Sequence, residues 1–158
     1  MSGERPGRAL GLDLGARRVG VAVSDSAGRL ALPWGTLPGD QGDEALAAAV
    51  GSLAEELGVR TIVVGVPRSL DGREGPAAVA ARTRIADLAE RLAARHLTVT
   101  TQDERLTTVS ASRALRAAGV GGRRQRARVD AAAATELLQG WLDARQGPRS
   151  VDEDQGEP

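Results

Sequence analysis

The chain has no cysteine among its 158 residues, which removes disulfides, thiolate metal sites and thiol nucleophiles together. Lysine is also missing, so all 21 basic residues are arginine, a bias that genome composition explains as well as function does. Without tyrosine or phenylalanine, Trp34 and Trp141 are the only aromatic side chains. Trp141 is expected to be buried, so the stacking platforms common in single-strand binders are scarce. No apolar run approaches the length of about 20 residues that spans a bilayer. Met1 to Arg8 is too polar for a signal peptide, and the expectation is a cytoplasmic protein with no membrane partner. The lone histidine, His96, is expected to end a helix at the surface and is assigned no chemistry.

Hydrophobic residues at 41% and charged residues at 27% match an ordinary globular mixture, and the length suits one domain with a useful core. The net charge is zero, yet its distribution is uneven. Between Glu104 and Asp130 stand Arg105, Arg113, Arg116, Arg123, Arg124, Arg126 and Arg128 with no acid among them. The end of the chain reverses sign with Asp152, Glu153, Asp154 and Glu157. A local basic face can recruit a polyanion whatever the global charge.

Hydrophobic patterning predicts two strands, Ala9 to Leu14 and Val19 to Ser24, joined by a hairpin loop, with Arg29 to Leu37 as a third. From Asp43 to Leu57 the period becomes helical, with Leu46, Val50, Leu53 and Leu57 on one face. Thr61 to Val66 is a continuous apolar run, the pattern of a strand covered on both faces. A second helix is predicted from Pro76 to about Arg95 and a fifth strand from Leu97 to Asp103. A helix capped by Thr107 or Thr108 then runs to Ala118, and a last helix from Asp130 to Ala144. The order predicts an α/β fold, a five-stranded mixed sheet with helices on both faces. Residues 1–7 are expected to be a flexible N-terminus, 8–145 the folded domain and 146–158 a disordered acidic tail.

Three positions are candidates for chemistry. Asp13 interrupts an apolar strand, where an ionised carboxylate is costly unless it is paired or binds a cation; Gly11 and Gly15 beside it permit close backbone approach. The bland alternative is a turn or a salt bridge to Arg17 or Arg18. Asp103 and Glu104 end the fifth strand, and alternation allows only one of them to face a site; strand parity alone leaves the choice open. Asp130 opens the predicted last helix, where capping is the local explanation. Its helical face nevertheless continues through Ala134, Leu137 and Trp141 toward the sheet.

Taken together these segments resemble the YqgF/RuvX family of RNase H-like nucleases over roughly residues 8 to 145. The resemblance is carried by Gly11-Leu-Asp-Leu-Gly15, Arg18-Val-Gly-Val-Ala-Val-Ser-Asp25, Val64-Gly-Val-Pro67 with Asp71-Gly-Arg-Glu-Gly-Pro76, Asp103-Glu-Arg-Leu-Thr-Thr108, and Val129-Asp-Ala-Ala-Ala-Ala134. It implies an RNase H-like nuclease domain in which Asp13, Glu104 and Asp130 are the catalytic, metal-holding carboxylates; Glu104 over Asp103 is a choice made by the resemblance. The implied cofactor is Mg²⁺ or Mn²⁺, two ions with substrate bound, since hard cations take carboxylate oxygens and keep water for exchange. The implied reaction is phosphodiester hydrolysis, with ions about 4 Å apart serving the attacking water and the leaving oxygen. Arg123, Arg124, Arg126 and Arg128, read as a loop leading into Asp130, are expected to bind nucleic acid. Arg68, Ser69 and Arg73 are expected to line the substrate from the loop after the fourth strand.

The family is associated with pre-16S ribosomal RNA maturation and with resolution of branched DNA junctions. The expectation is ribosomal RNA, with the ribosomal small subunit as a partner; the chain is expected to act as a monomer or homodimer. Two rival classes are a non-catalytic RNA- or ribosome-binding module and a relative of the ATP-binding phosphotransferases. The latter enclose ATP between two such lobes, and 158 residues supply one.

Overall fold

The computed structural model describes residues 7–67, 75–104 and 122–146, with the side chains of Pro67 and Glu104 outside the description. The expected helix near 107–118, the tail from 147 onward, and Arg68, Ser69, Arg73, Arg105, Arg113 and Arg116 lie outside the described residues.

Five strands form one sheet: β1 (Ala9–Leu14), β2 (Arg18–Ser24), β3 (Ala31–Pro38), β4 (Thr61–Pro67) and β5 (Thr98–Glu104), in the order β3-β2-β1-β4-β5. β1, β2 and β3 are joined antiparallel, whereas β1, β4 and β5 run parallel. The sheet is therefore mixed, as expected. α1 (Asp43–Leu57) has the predicted bounds. α2 (Pro76–Ala93) starts at the predicted proline and stops two residues early, after which His96 sits exposed in a turn with φ 63°.

The last helix, α3 (Arg123–Gln146), corrects the sequence reading. Arg123 to Arg128 are not a loop; they form its first turns. Arginine, glutamine and alanine are strong helix formers, so the helix follows directly on Gly122. Asp130 is consequently an interior residue and not a cap.

Side-chain alternation divides the sheet into two unlike faces. On one, Leu10, Leu12, Val19, Val21, Ile62 and Val64 pack against Leu46, Val50 and Leu53 of α1 and Ile85, Leu88 and Leu92 of α2. Each such large aliphatic side chain, fully removed from water, contributes about 1.5–3 kcal/mol. On the other face, Ala9, Ala22, Ala31 and Val63 meet Ala134, Leu138 and Leu142 of α3. Trp141, expected to be buried, is half-buried at the margin of this second core, with the Arg145 guanidinium 4.5 Å from its ring centroid.

Candidate metal and nucleic-acid site

Asp13 and Gly11 project from β1 toward α3, because the residues between and beside them, Leu10, Leu12 and Leu14, pack on the opposite side. In register with Asp13 on β2 stands Gly20. A Cβ at Gly20 would run into the backbone carbonyl of Asp130, and one at Gly11 would lie 2.8 Å from the Cβ of Leu138 and 3.0 Å from the carbonyl oxygen of Ala134. Only glycine lets the helix backbone come this close to the sheet. The contact brings the segment of α3 that holds Asp130 over the strand pair that holds Asp13.

Both carboxylates are withdrawn from water, Asp13 at 0% and Asp130 at 1% exposure. Arg18, two residues before Gly20, donates from Nε to Oδ2 of Asp130 at 2.8 Å. Along β2, then, Arg18 supplies a countercharge and Gly20 supplies room. This charge-assisted bond is stronger than a neutral one and fixes the orientation of the Asp130 carboxylate. A further clamp acts on the turn after Asp13: Arg84 of α2 donates to the carbonyl oxygens of Gly15 at 3.1 Å and Gly39 at 3.0 Å, and to Asp43 at 3.1 Å.

The β4–β5 register bears on the choice between Asp103 and Glu104. Thr100 pairs with Val63 and Gln102 with Gly65, on the α3 side, where the Gln102 amide approaches Gly140. Asp103 pairs with Val66 of the first core, and position 104 pairs with Pro67, in the parity of Gln102. Backbone register thus places position 104 on the face shared by Asp13 and Asp130. Among the described residues no group of three histidine, cysteine, aspartate or glutamate side chains is assembled; the Glu104 side chain lies outside that description. Two buried carboxylates on one face fit a hard divalent cation by donor type, and shared positive charge relieves their desolvation.

The arginines of α3 divide by helical position. Arg126, one turn before Asp130, is half-buried, and its buried Nε has no hydrogen-bond partner among the described residues. Arg123, Arg124 and Arg128 are exposed. A feature that composition did not reveal is a groove of about 570 Å³ between β3 and α3, lined by Trp34, Pro33 and Gly35 on one side and Ala127, Arg128 and Ala131 on the other. Ala132, Thr135 and Glu136 complete its α3 wall. The exposed large apolar residues of β3 are its only trace in sequence, and without the strand register they read as ordinary alternation.

Comparison with known proteins agrees on one family. The family model described as "RuvX: Holliday junction resolvase" matches residues 7–144. A protein of Mycolicibacterium paratuberculosis carrying the name "Putative pre-16S rRNA nuclease" is 48% identical over 141 residues, covering 88% of this chain and 81% of that protein. A Nocardia farcinica protein of the same name is 44% identical over 162 residues, covering 93% of this chain and 84% of its own length. Among solved structures, Thermus thermophilus RuvC in complex with a Holliday junction substrate superposes with a TM-score of 0.51 at 15% identity, over 89% of this chain and 96% of that one. At that identity the likeness speaks for the fold, which is RNase H-like. No helix among the described residues is long and apolar enough to cross a membrane.

Proposed function

The chain belongs to the RuvX family, whose model is described as Holliday junction resolvase, and on that premise we propose that it is a divalent-metal-dependent endonuclease that hydrolyses phosphodiester bonds of pre-16S ribosomal RNA in the cytoplasm. The observation that supports this reading is that two buried carboxylates lie on one face of the sheet: Asp13 on the first strand, and Asp130 on the last helix, whose backbone packs against Gly20, the strand partner of Asp13. The name shared by relatives at 44–48% identity supports the RNA substrate.

In this proposal Asp13, Asp130 and Glu104 hold the metal, Mg²⁺ or Mn²⁺. When bound, such ions lower the pKa of water and stabilise the leaving oxygen. The protein's own contribution is placement. Arg18 holds the Asp130 carboxylate in one orientation, Arg84 holds the turn that follows Asp13, and the close helix–sheet contact excludes water from behind both acids. Arg126, one turn before Asp130, adds positive charge beside the acids, and the exposed Arg123, Arg124 and Arg128 attract the polyanion from the outer side of α3. Arg68, Ser69 and Arg73 complete the proposed contacts from the loop after β4. Each arginine that neutralises a phosphate releases counterions, so binding weakens steeply with added salt.

The family description favours a second reading, branched DNA as substrate. The test is cleavage of a pre-16S RNA fragment and of a four-way DNA junction with Mg²⁺ or Mn²⁺, by the native protein and Asp13→Asn. The expected result is RNA cleavage that falls about 100-fold or more in the variant, the scale on which loss of one electrostatic group acts. Equal cleavage by both proteins would sink the site. Junction cleavage with the RNA left intact would move the assignment to DNA.

A further inference from the structure

We propose that the groove between β3 and α3 takes an unstacked base of the nucleic-acid substrate, with Trp34 as the stacking surface. This rests on the nuclease reading above and adds to it a residue that recognises single-stranded substrate.

Trp34 stands at the one irregularity in the β2–β3 ladder. Val21 pairs with Gly35 and Ala22 with Pro33, which leaves Trp34 as the extra residue of a β-bulge. Bulges re-aim side chains and gather beside functional sites. Gly35 carries the backbone at φ 149°, in a region that side chains rarely adopt, so the glycine sustains the turn that brings Trp34 to the groove. An indole left 44% exposed in an apolar groove loses part of its burial energy, about 25 cal/mol for each Å² that stays wet.

The groove opposes this ring with small side chains, Ala127 and Ala131, and carries the exposed Arg128 at one end of its α3 wall and the exposed Glu136 at the other, so a phosphate is expected at the Arg128 end. An apolar groove with a cation at one end matches a base attached to its phosphate. At its far end the seam between β3 and α3 is closed: the Gln139 amide accepts from the Ala31 N–H at 2.9 Å and donates to the Arg29 carbonyl at 2.9 Å. The groove therefore lies on the Arg128 side of this closure.

A second copy of the chain is the competing occupant, and β3 is poorly built for it. Pro33 and Pro38 remove two N–H donors from this edge and the bulge bends it, features that oppose strand pairing between molecules.

The test uses the full chain in the presence of a chelator, so that nothing is cut. A short single-stranded oligoribonucleotide and the same sequence annealed to its complement are titrated, with binding read by anisotropy and tryptophan emission read in parallel. Comparing the native protein with Trp34→Phe assigns the emission to Trp34. The single strand is expected to quench that emission and the duplex to leave it nearly unchanged. Trp34→Ala should weaken single-strand binding about tenfold, in the range that stacking one base supplies, and Trp34→Phe should restore most of it. Binding by anisotropy with no Trp34 signal, or equal affinity in Trp34→Ala, overturns this proposal and leaves the nuclease reading standing. A dimer in sedimentation that Trp34→Ala converts to monomer overturns it in favour of an interface between copies. Failure of the native protein to bind either nucleic acid overturns both.

Discussion

The two faces of the sheet are built from different residues for different ends. Toward α1 and α2 the strands present leucine, isoleucine and valine, and the helices answer with the same. Toward α3 they present chiefly small residues, Ala9, Gly11, Gly20 and Ala22, with Asp13 and Val63, and the helix answers with Ala131, Ala133 and Ala134 around Asp130 before Leu137, Leu138 and Leu142. Large side chains bury more apolar area, and small ones let backbones approach. The first face therefore carries more of the stability, and the second gives up part of it to bring the helix that holds Asp130 against the strands that hold Asp13.

That division is most severely tested by Gly20→Ala. Its methyl group would meet the backbone of Asp130, which cannot step aside as a flexible side chain does. The loss should exceed the ~1–3 kcal/mol of ordinary overpacking. Per folded molecule, cleavage should fall about 100-fold, the consequence of an ångström of misplacement. Urea unfolding and single-turnover cleavage read the two effects, and an active, stable variant would show that the close contact does not set the site.

Leu12→Ala, one residue from Asp13 but on the other face, supplies the contrast. It should cost about 2–5 kcal/mol of stability through lost burial and a cavity while the folded fraction cleaves at the native rate. A matching loss of specific activity would mean that the two faces are not independent.

Arg18→Gln sharpens the comparison at smaller scale. It removes the guanidinium from a buried carboxylate, and because Arg18 is itself 28% exposed, the cost should lie near ~1–3 kcal/mol. Calorimetry of the metal-free protein measures it. A variant as stable as the native protein would show that the ion pair is not what secures Asp130.

The smallest effect is expected far from both cores, in the β2–β3 hairpin. The Asp25 carboxylate accepts from the backbone N–H of Arg29 at 2.8 Å and of Leu30 at 3.2 Å. The Arg29 bond, then that of Leu30, holds its pKa below the ordinary 3.8. A depressed folded pKa stabilises above the unfolded value and is lost as pH falls through the folded one. The native protein should therefore lose a small increment of melting temperature below about pH 4 that Asp25→Asn does not lose. Parallel acid melts of both proteins would expose an error in this assignment.

Much of this was legible in sequence where periodicity was long and punctuation strong. α1 was readable to the residue because Gly58 closes a clear helical stripe, and β4 because its apolar run ends at a proline. The start of α3 was misread because Asp130 fits a cap as well as an interior acid, and local signals do not separate those roles; the deciding partner, Arg18, is 112 residues away. The parity of positions 103 and 104 depends on pairing with β4, a nonlocal fact. Trp141 looked internal because its helical stripe is apolar, but that stripe reaches the margin of the sheet. Trp34 was overlooked as a platform because a bulge, which shifts the facing of every residue beyond it, is invisible to simple alternation.

The separation between Arg18 and Asp130 also has a consequence for synthesis. The strands and the first two helices, with the larger of the two cores, precede α3 in the chain and can collapse as it emerges. Asp130 joins Asp13 on this face of the sheet only when the last helix docks. A nascent chain still lacking α3 holds Asp13 but no Asp130 to complement it, so by order of translation alone the incomplete product is without this pair of acids.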